Sequence, residues 1–134
     1  MQKMIFVNLP VADLARSTAF YEAIGATKNA QFSDDDTSSM VISETIVVML
    51  LTHRRWKEFT GKAIPDAHAT AQVMLALSEQ SRADVDARVA AASKLGKPDP
   101  NPVQDHGFMY GRSFEDPDGH IWEVFWMDPA AVGG

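Results

Sequence analysis

Glu123, with His120 three residues before it, is where the residue types of this chain first ask for a chemical reading, since a carboxylate and an imidazole can share a metal or a proton. The spacing argues against a partnership. On a strand, residues three apart point to opposite faces, so this His-x-x-Glu is not a metal motif. The other histidines among the four are His53 and His68, in what reads as a linker, and His106, in a loop ahead of a strand. No spacing joins them, and they are expected at the surface. The chain has no cysteine, which excludes disulfides, thiolate metal sites and cysteine nucleophiles. Ser113 has no histidine partner at a useful spacing, so a serine nucleophile has little behind it. Trp56 lies in a basic segment with Arg54, Arg55 and Lys57, which reads either as a mobile flap over a pocket mouth or as a solvated helix. Glu123 remains, and the question becomes which elements hold it.

Met4 to Leu9 is short and apolar and runs into Pro10, which predicts a strand that the proline ends. Asp13 is expected to cap a helix whose Leu14, Tyr21 and Ile24 recur at helical spacing, with Gly25 as a left-handed stop. Strands are predicted over 28–33, 38–43 and 46–52, the first two parted by a turn at Asp34-Asp35-Asp36. The second half repeats this order with a strand over 71–78. Ser81 and Asp84 make a capping box for a helix whose Val85, Val89 and Ala92 share a face and which stops at Gly96. The stretch Pro98 to Pro102 precedes or contains an irregular edge strand, and strands over 108–115 and 120–127 complete the order. Module one therefore spans about 1–52 and module two about 71–127 of a single 134-residue domain, with a linker over about 53–70 and a helical turn in RRWKEF.

Asp116-Pro117-Asp118-Gly119 sets the register of the last hairpin. Proline presets the first turn position, aspartate suits the second and glycine takes the left-handed third. Asp116 should then face His120, Ser113 should face Glu123, and Gly111 should face Phe125. Alternation places Ile121, Glu123 and Phe125 on one face, with Trp122, Val124 and Trp126 on the other beside Phe114, Tyr110 and Arg112. A loop one residue shorter or longer would oppose Arg112 to Glu123, and Arg112 could then hold an anionic ligand.

Composition bounds the function. Hydrophobic content of 46% with 22% charged residues is that of an ordinary globular domain able to bury a core without staples. A net charge of −6 argues against gripping phosphate backbones, and no apolar stretch approaches the ~20 residues of a membrane span. Neither a nucleic acid nor a membrane is expected as partner. The opening Met-Gln-Lys-Met shows no cleavable signal pattern, so a cytoplasmic location is expected.

VNLPVADLARSTAFYEAIGA (Val7 to Ala26) resembles the opening strand and helix of the vicinal oxygen chelate superfamily, which includes glyoxalases, bleomycin resistance proteins and dioxygenases. SFEDPDGHIWEVFW (Ser113 to Trp126) resembles its closing hairpin. With the βαβββ repeat between them the likeness covers essentially the whole chain, and it is similar in particular to small bacterial proteins called predicted lactoylglutathione lyases. The resemblance implies an α+β fold of two βαβββ modules, a curved mixed sheet with a concave cleft and helices on the convex face, and a homodimer. It also implies one divalent metal on the concave face, acting as a Lewis acid. Residue by residue, the usual metal ligands fall on Phe6, on Met49 or Leu50, on Met74 and on Glu123. Phenylalanine and thioether are poor ligands for such ions, and one carboxylate cannot hold a metal against water, so no metal site and no cofactor are expected.

These residues point to a protein that binds a small, partly apolar molecule, with Glu123 as the catalytic candidate and Phe6, Asn8, Met74, Ser113 and Phe125 as ligand-binding candidates. Desolvation among Phe6, Met74, Ile121 and Phe125 would raise the pKa of Glu123 and make it a general base or ligand anchor. The competing reading is a remnant carboxylate satisfied by Asn8, Ser113 or water. Met4, Met74 and Met109 are expected on the concave side, as adaptable pocket wall or as plain core. The alternatives are a metal-dependent glyoxalase-like lyase or dioxygenase-type enzyme using Glu123 and non-standard ligands, and a structural dimer whose cavity its own side chains fill.

Overall fold

The strand-helix-strands order recurs twice in the structure, a computed structural model that describes residues 2–132. The chain divides into two units, Met1–Pro65 and Asp66–Gly134. The helix α2 (His53–Phe59) of the expected linker belongs to the first, and the turn that begins at Asp66 belongs to the second.

In the first unit, β1 (Ile5–Val11), α1 (Leu14–Ala23), β2 (Thr27–Lys28), β3 (Thr37–Val41) and β4 (Ile46–Thr52) precede α2 in order. The sheet runs β1-β4-β3-β2, with β1 parallel to β4 from Ile5↔Ile46 to Val11↔Thr52 and the other pairs antiparallel. Pro10 does not end the strand as expected. It pairs in register with Leu51 because β1 is the outermost strand of this sheet, where alternate residues have no ladder partner on the open side and a missing N–H interrupts nothing. The strand expected over 28–33 is also corrected. Only Thr27–Lys28 pairs, and the chain then turns through a 3-10 segment at Ala30–Phe32. There the Asn29 side chain accepts from the Gln31 N–H at 3.1 Å, and the Ser33 hydroxyl donates to the Asn29 carbonyl at 2.7 Å. Such local side-chain bonds compete with the ladder.

The Asp13 carboxylate caps α1 by accepting from the Arg16 N–H at 3.0 Å. The buried face of α1 places Phe20 against Tyr21 edge to face at 5.0 Å and Thr18 in a 2.7 Å hydroxyl pair with Ser38. Met40, Val48 and Leu50 complete this core without exposure. Arg54 and Arg55 of α2 form ion pairs with Asp36 and Asp34, tying the helix to the acidic turn.

In the second unit, the order is β5 (Met74–Ser78), α3 (Arg82–Ala92), β6 (Lys97–Pro98), β7 (Gln104–Asp105), β8 (Met109–Glu115), β9 (Ile121–Met127) and α4 (Pro129–Val132). The sheet runs β5-β9-β8-β6, with β7 also on β8, and β5 lies parallel to β9. The first strand starts at Met74 rather than at residue 71, and α3 ends at Ala92, with the Gly96 N–H reaching the Ala92 carbonyl at 2.8 Å. Ser81 caps α3 as expected, accepting from the Asp84 N–H at 3.0 Å. The irregular edge strand is broken into β6 and β7 by a loop that opens at Asp99, a non-glycine residue at φ +50°.

The hairpin register is the one the turn chemistry dictates: Ser113 faces Glu123, Gly111 faces Phe125, and the Asp116 N–H donates to the His120 carbonyl at 3.0 Å. The buried Asp116 carboxylate accepts from the Asp118 and His120 N–H groups, both at 2.9 Å. Gly119, at φ +93°, brings the loop so close to the Ala67–His68 backbone that an added Cβ would stand 2.7 Å from the His68 nitrogen. The α+β expectation thus holds as two mixed sheets of four and five strands, each with one long helix against a face. Among the described residues, no helix is long and apolar enough to cross a membrane.

Candidate functional site

The face of the second sheet that carries Glu123 is defined by what covers the other one. Phe114, Trp122 and Val124 are fully or almost fully buried on the α3 side. On that same side the Tyr110 hydroxyl donates to Asp86 of α3 at 2.6 Å, and Arg82 stacks over the Tyr110 ring at 4.4 Å. Strand alternation therefore turns Met109, Gly111, Ser113, Glu123, Phe125, Ala76 and Met74 to the opposite face.

On that face lies a recess of about 150 Å³, bordered by the apolar residues Ala76, Pro102, Met109 and Phe125, and by Val124, whose buried side chain itself faces α3. Ser113, Gln104, Gly111, Arg112 and Glu123 complete its wall. The sequence candidates Ser113, Glu123 and Phe125 thus meet in one cavity. Met74 shares their face but stands outside the lining, exposed, with its sulfur accepting from the Asn101 side-chain amide at 3.4 Å. Phe6 and Asn8 belong to the first unit, exposed on the face away from α1.

Ser113 is buried and committed to the loop after Asp99. Its hydroxyl accepts from the Asn101 N–H at 3.0 Å, and its carbonyl accepts from the Asp99 N–H at 2.7 Å. These two bonds carry Pro102 and Gln104 to the rim of the recess. The proline-rich run pointed to an irregular edge here, but neither rim residue had a chemical signal in the sequence. Gln104 is held in turn by His106, whose Nε2 lies 3.2 Å from its Oε1.

Glu123 is half-buried, and among the described residues its carboxylate makes no hydrogen bond or ion pair. Arg112 borders the recess as a residue, but its guanidinium turns to the α3 side and is engaged there. Arg112 pairs with Asp99 through Nε and Nη2 at 3.1 and 2.6 Å and with Asp86 through Nη1 at 3.0 Å. The Asp99 hydrogen bonds, ahead of those of Asp86, raise its pKa further above the ordinary guanidinium value. The Tyr110 hydroxyl, with Arg112 second, lowers the pKa of Asp86. The register shift that would have brought Arg112 across from Glu123 does not occur.

A divalent metal of the kind the resemblance implies does not fit these residues. Of its four positions, Phe6 and Met49 share one face of the first sheet, Leu50 is buried on the other, and Met74 offers a thioether. Glu123 is the one oxygen donor. Among the described residues, no group of three or more His, Cys, Asp or Glu side chains is arranged to hold an ion. His53, His68 and His106 are exposed and His120 is half-buried.

Solved structures resemble the chain over nearly its whole length. A hypothetical protein from S. aureus is 24% identical with a TM-score of 0.77, the match covering 94% of each chain. A glyoxalase/bleomycin resistance protein/dioxygenase family enzyme from Burkholderia phytofirmans is 14% identical with a TM-score of 0.74, over 94% of this chain and 99% of its own. A fosfomycin resistance protein from Mesorhizobium loti is 19% identical with a TM-score of 0.67, over 94% and 92%. Among curated proteins no match is found. The family model of the glyoxalase/bleomycin resistance protein/dioxygenase superfamily matches residues 3–124, and the chain belongs to that superfamily.

Proposed function

We propose that this protein binds a small, partly apolar molecule at the Glu123 face of its second unit and does so without a resident metal. The observation that carries this reading is the recess itself: apolar walls around a half-buried carboxylate with no protein partner among the described residues. Complete ligand pockets are commonly about 300–1,000 Å³, so a recess of about 150 Å³ receives one part of a ligand, a group the size of a benzene ring. Phe6 and Asn8 are proposed separately, as ligand-binding residues on the exposed face of the first sheet, and Met74 at the edge of the recess. A homodimer in the cytoplasm is proposed alongside. Ile5 and Phe6 on the outermost strand β1 and Met74 on the outermost strand β5 are exposed apolar side chains that a second copy would cover.

Elemental analysis of untagged, chelator-free protein, followed by a thermal-shift screen of small aromatic and aliphatic compounds, tests the reading. Metal-free folded protein stabilised by such a compound is expected. At 100 times the dissociation constant the gain is about 2.7 kcal/mol. A near-stoichiometric divalent metal would overturn the metal-free part and favour a lyase or dioxygenase-type enzyme using Glu123. Sedimentation at micromolar concentration tests the dimer.

A further inference from the structure

We propose that the molecule taken into this recess carries an ammonium group: a primary or secondary amine attached to an apolar body whose inserted part is no larger than one aromatic ring. The proposal rests on the reading of the recess as a ligand site and names the chemistry of what fills it.

Charge is distributed very unevenly between the two units. Residues 1–65 carry seven basic and seven acidic side chains and are neutral, whereas residues 66–134 carry five basic against eleven acidic, which leaves −6. The whole excess of negative charge therefore belongs to the unit that holds the recess. Its three arginines are all occupied by carboxylates: Arg82 by Asp105, Arg88 by Glu79, and Arg112 by Asp99 and Asp86. Glu123 is left as the one acidic side chain in the recess wall, with no cation or donor on it among the described residues.

Each class of ligand meets this wall differently. An anion is repelled by Glu123 and by the surrounding field. A neutral apolar group fills the volume but withdraws water from a carboxylate and offers nothing in return, which is unfavourable. An ammonium group donates charge-assisted hydrogen bonds to the carboxylate. Ala76, Met109 and Pro102 then enclose the apolar body.

Three ring-sized compounds separate these cases: benzylamine, benzyl alcohol and benzoate, titrated against the intact protein at neutral pH by calorimetry or ligand-observed NMR. Benzylamine is expected to bind about tenfold or more tighter than benzyl alcohol, the difference a charged hydrogen bond supplies, and benzoate not to bind. In Glu123→Gln, the advantage of benzylamine over benzyl alcohol should disappear while both still bind, which also shows that the variant keeps its recess. Equal binding of the amine and the alcohol to the natural protein would overturn the ammonium proposal and leave the apolar recess standing. An amine preference that survives in Glu123→Gln would place the amine on the acidic surface instead and overturn it equally. Binding of none of the three would overturn both the proposal and the ligand-site reading beneath it.

Discussion

Replacing Gly119 by alanine tests the close approach of the last hairpin loop to the Ala67–His68 backbone. Two costs are separable there. The residue sits at φ +93°, where an L side chain is strained by about 1–2 kcal/mol. Its new Cβ would also stand 2.7 Å from the His68 nitrogen and 2.8 Å from the Ala67 carbonyl carbon, so backbone, not a pliable side chain, has to give way. Together these predict a loss of about 2–4 kcal/mol, a large part of a typical domain's stability. Two other glycines supply the controls. Gly107 has φ +80° but nothing within 4 Å of where a Cβ would stand, so Gly107→Ala isolates the strain and should lose about 1–2 kcal/mol. Gly61 has neither feature, and Gly61→Ala should lie within about 0.5 kcal/mol of the parent or be slightly more stable. Urea unfolding monitored by tryptophan fluorescence ranks the three, with the largest loss moving the midpoint by roughly 1–2 M. A Gly119→Ala loss no greater than that of Gly107→Ala would refute the close approach.

Trp122 and Phe114 face each other across the hairpin and are almost fully buried, so Trp122→Ala should lose about 3–5 kcal/mol in the same assay; a loss below about 1 kcal/mol would contradict that packing. Asp86 gives a pH-dependent case. Its pKa is lowered by the Tyr110 hydroxyl and by Arg112, so its contribution is present above the ordinary carboxylate value and is lost as pH falls through the lower folded value. The stability difference between the parent and Asp86→Asn should thus be constant near neutrality and shrink as pH is lowered from about 5 toward 3, whereas a difference that stays constant would sink the assignment. The hydrogen bond to Asp86 also raises the Tyr110 pKa, so in Asp86→Asn this phenol should ionise at lower pH in an ultraviolet titration.

Much of the fold could be read from local chemistry. Asp13 and Ser81 announced their helices because a side-chain cap is a short-range device, and the Asp-Pro-Asp-Gly loop fixed which residues face each other across β8 and β9. From that register alone Glu123 could be assigned the face it occupies. Long-range placement was less legible. Whether Pro10 ends a strand depends on the strand's place in the sheet, and local propensity does not contain that place. The segment after Lys28, Asn-Ala-Gln-Phe-Ser, is captured by the side chains of Asn29 and Ser33. The recess rim depends on Asp99 adopting a left-handed turn and on Asn101 reaching Ser113, contacts between residues far apart in sequence with no spacing pattern to reveal them.

The parallel pairing of β1 with β4 has a consequence for how the chain is made. A hairpin such as β3-β4 can close as soon as its second strand emerges from the ribosome, but β1 is synthesised first and its partner among the described residues is the last strand of the unit. Between Val11 and Thr52 the nascent apolar strand waits for roughly 2–8 s at ordinary elongation rates. The second unit repeats the arrangement, with β5 waiting for β9. The later strands of each sheet can pair in the order they emerge, β3 on β2 and then β4 on β3, β8 on β6 and β7 and then β9 on β8, so the earliest strand docks last on a preformed edge. A chain arrested just before β4 or β9 would display such a strand unpaired, and the same open ladder would accept a separate peptide of that sequence.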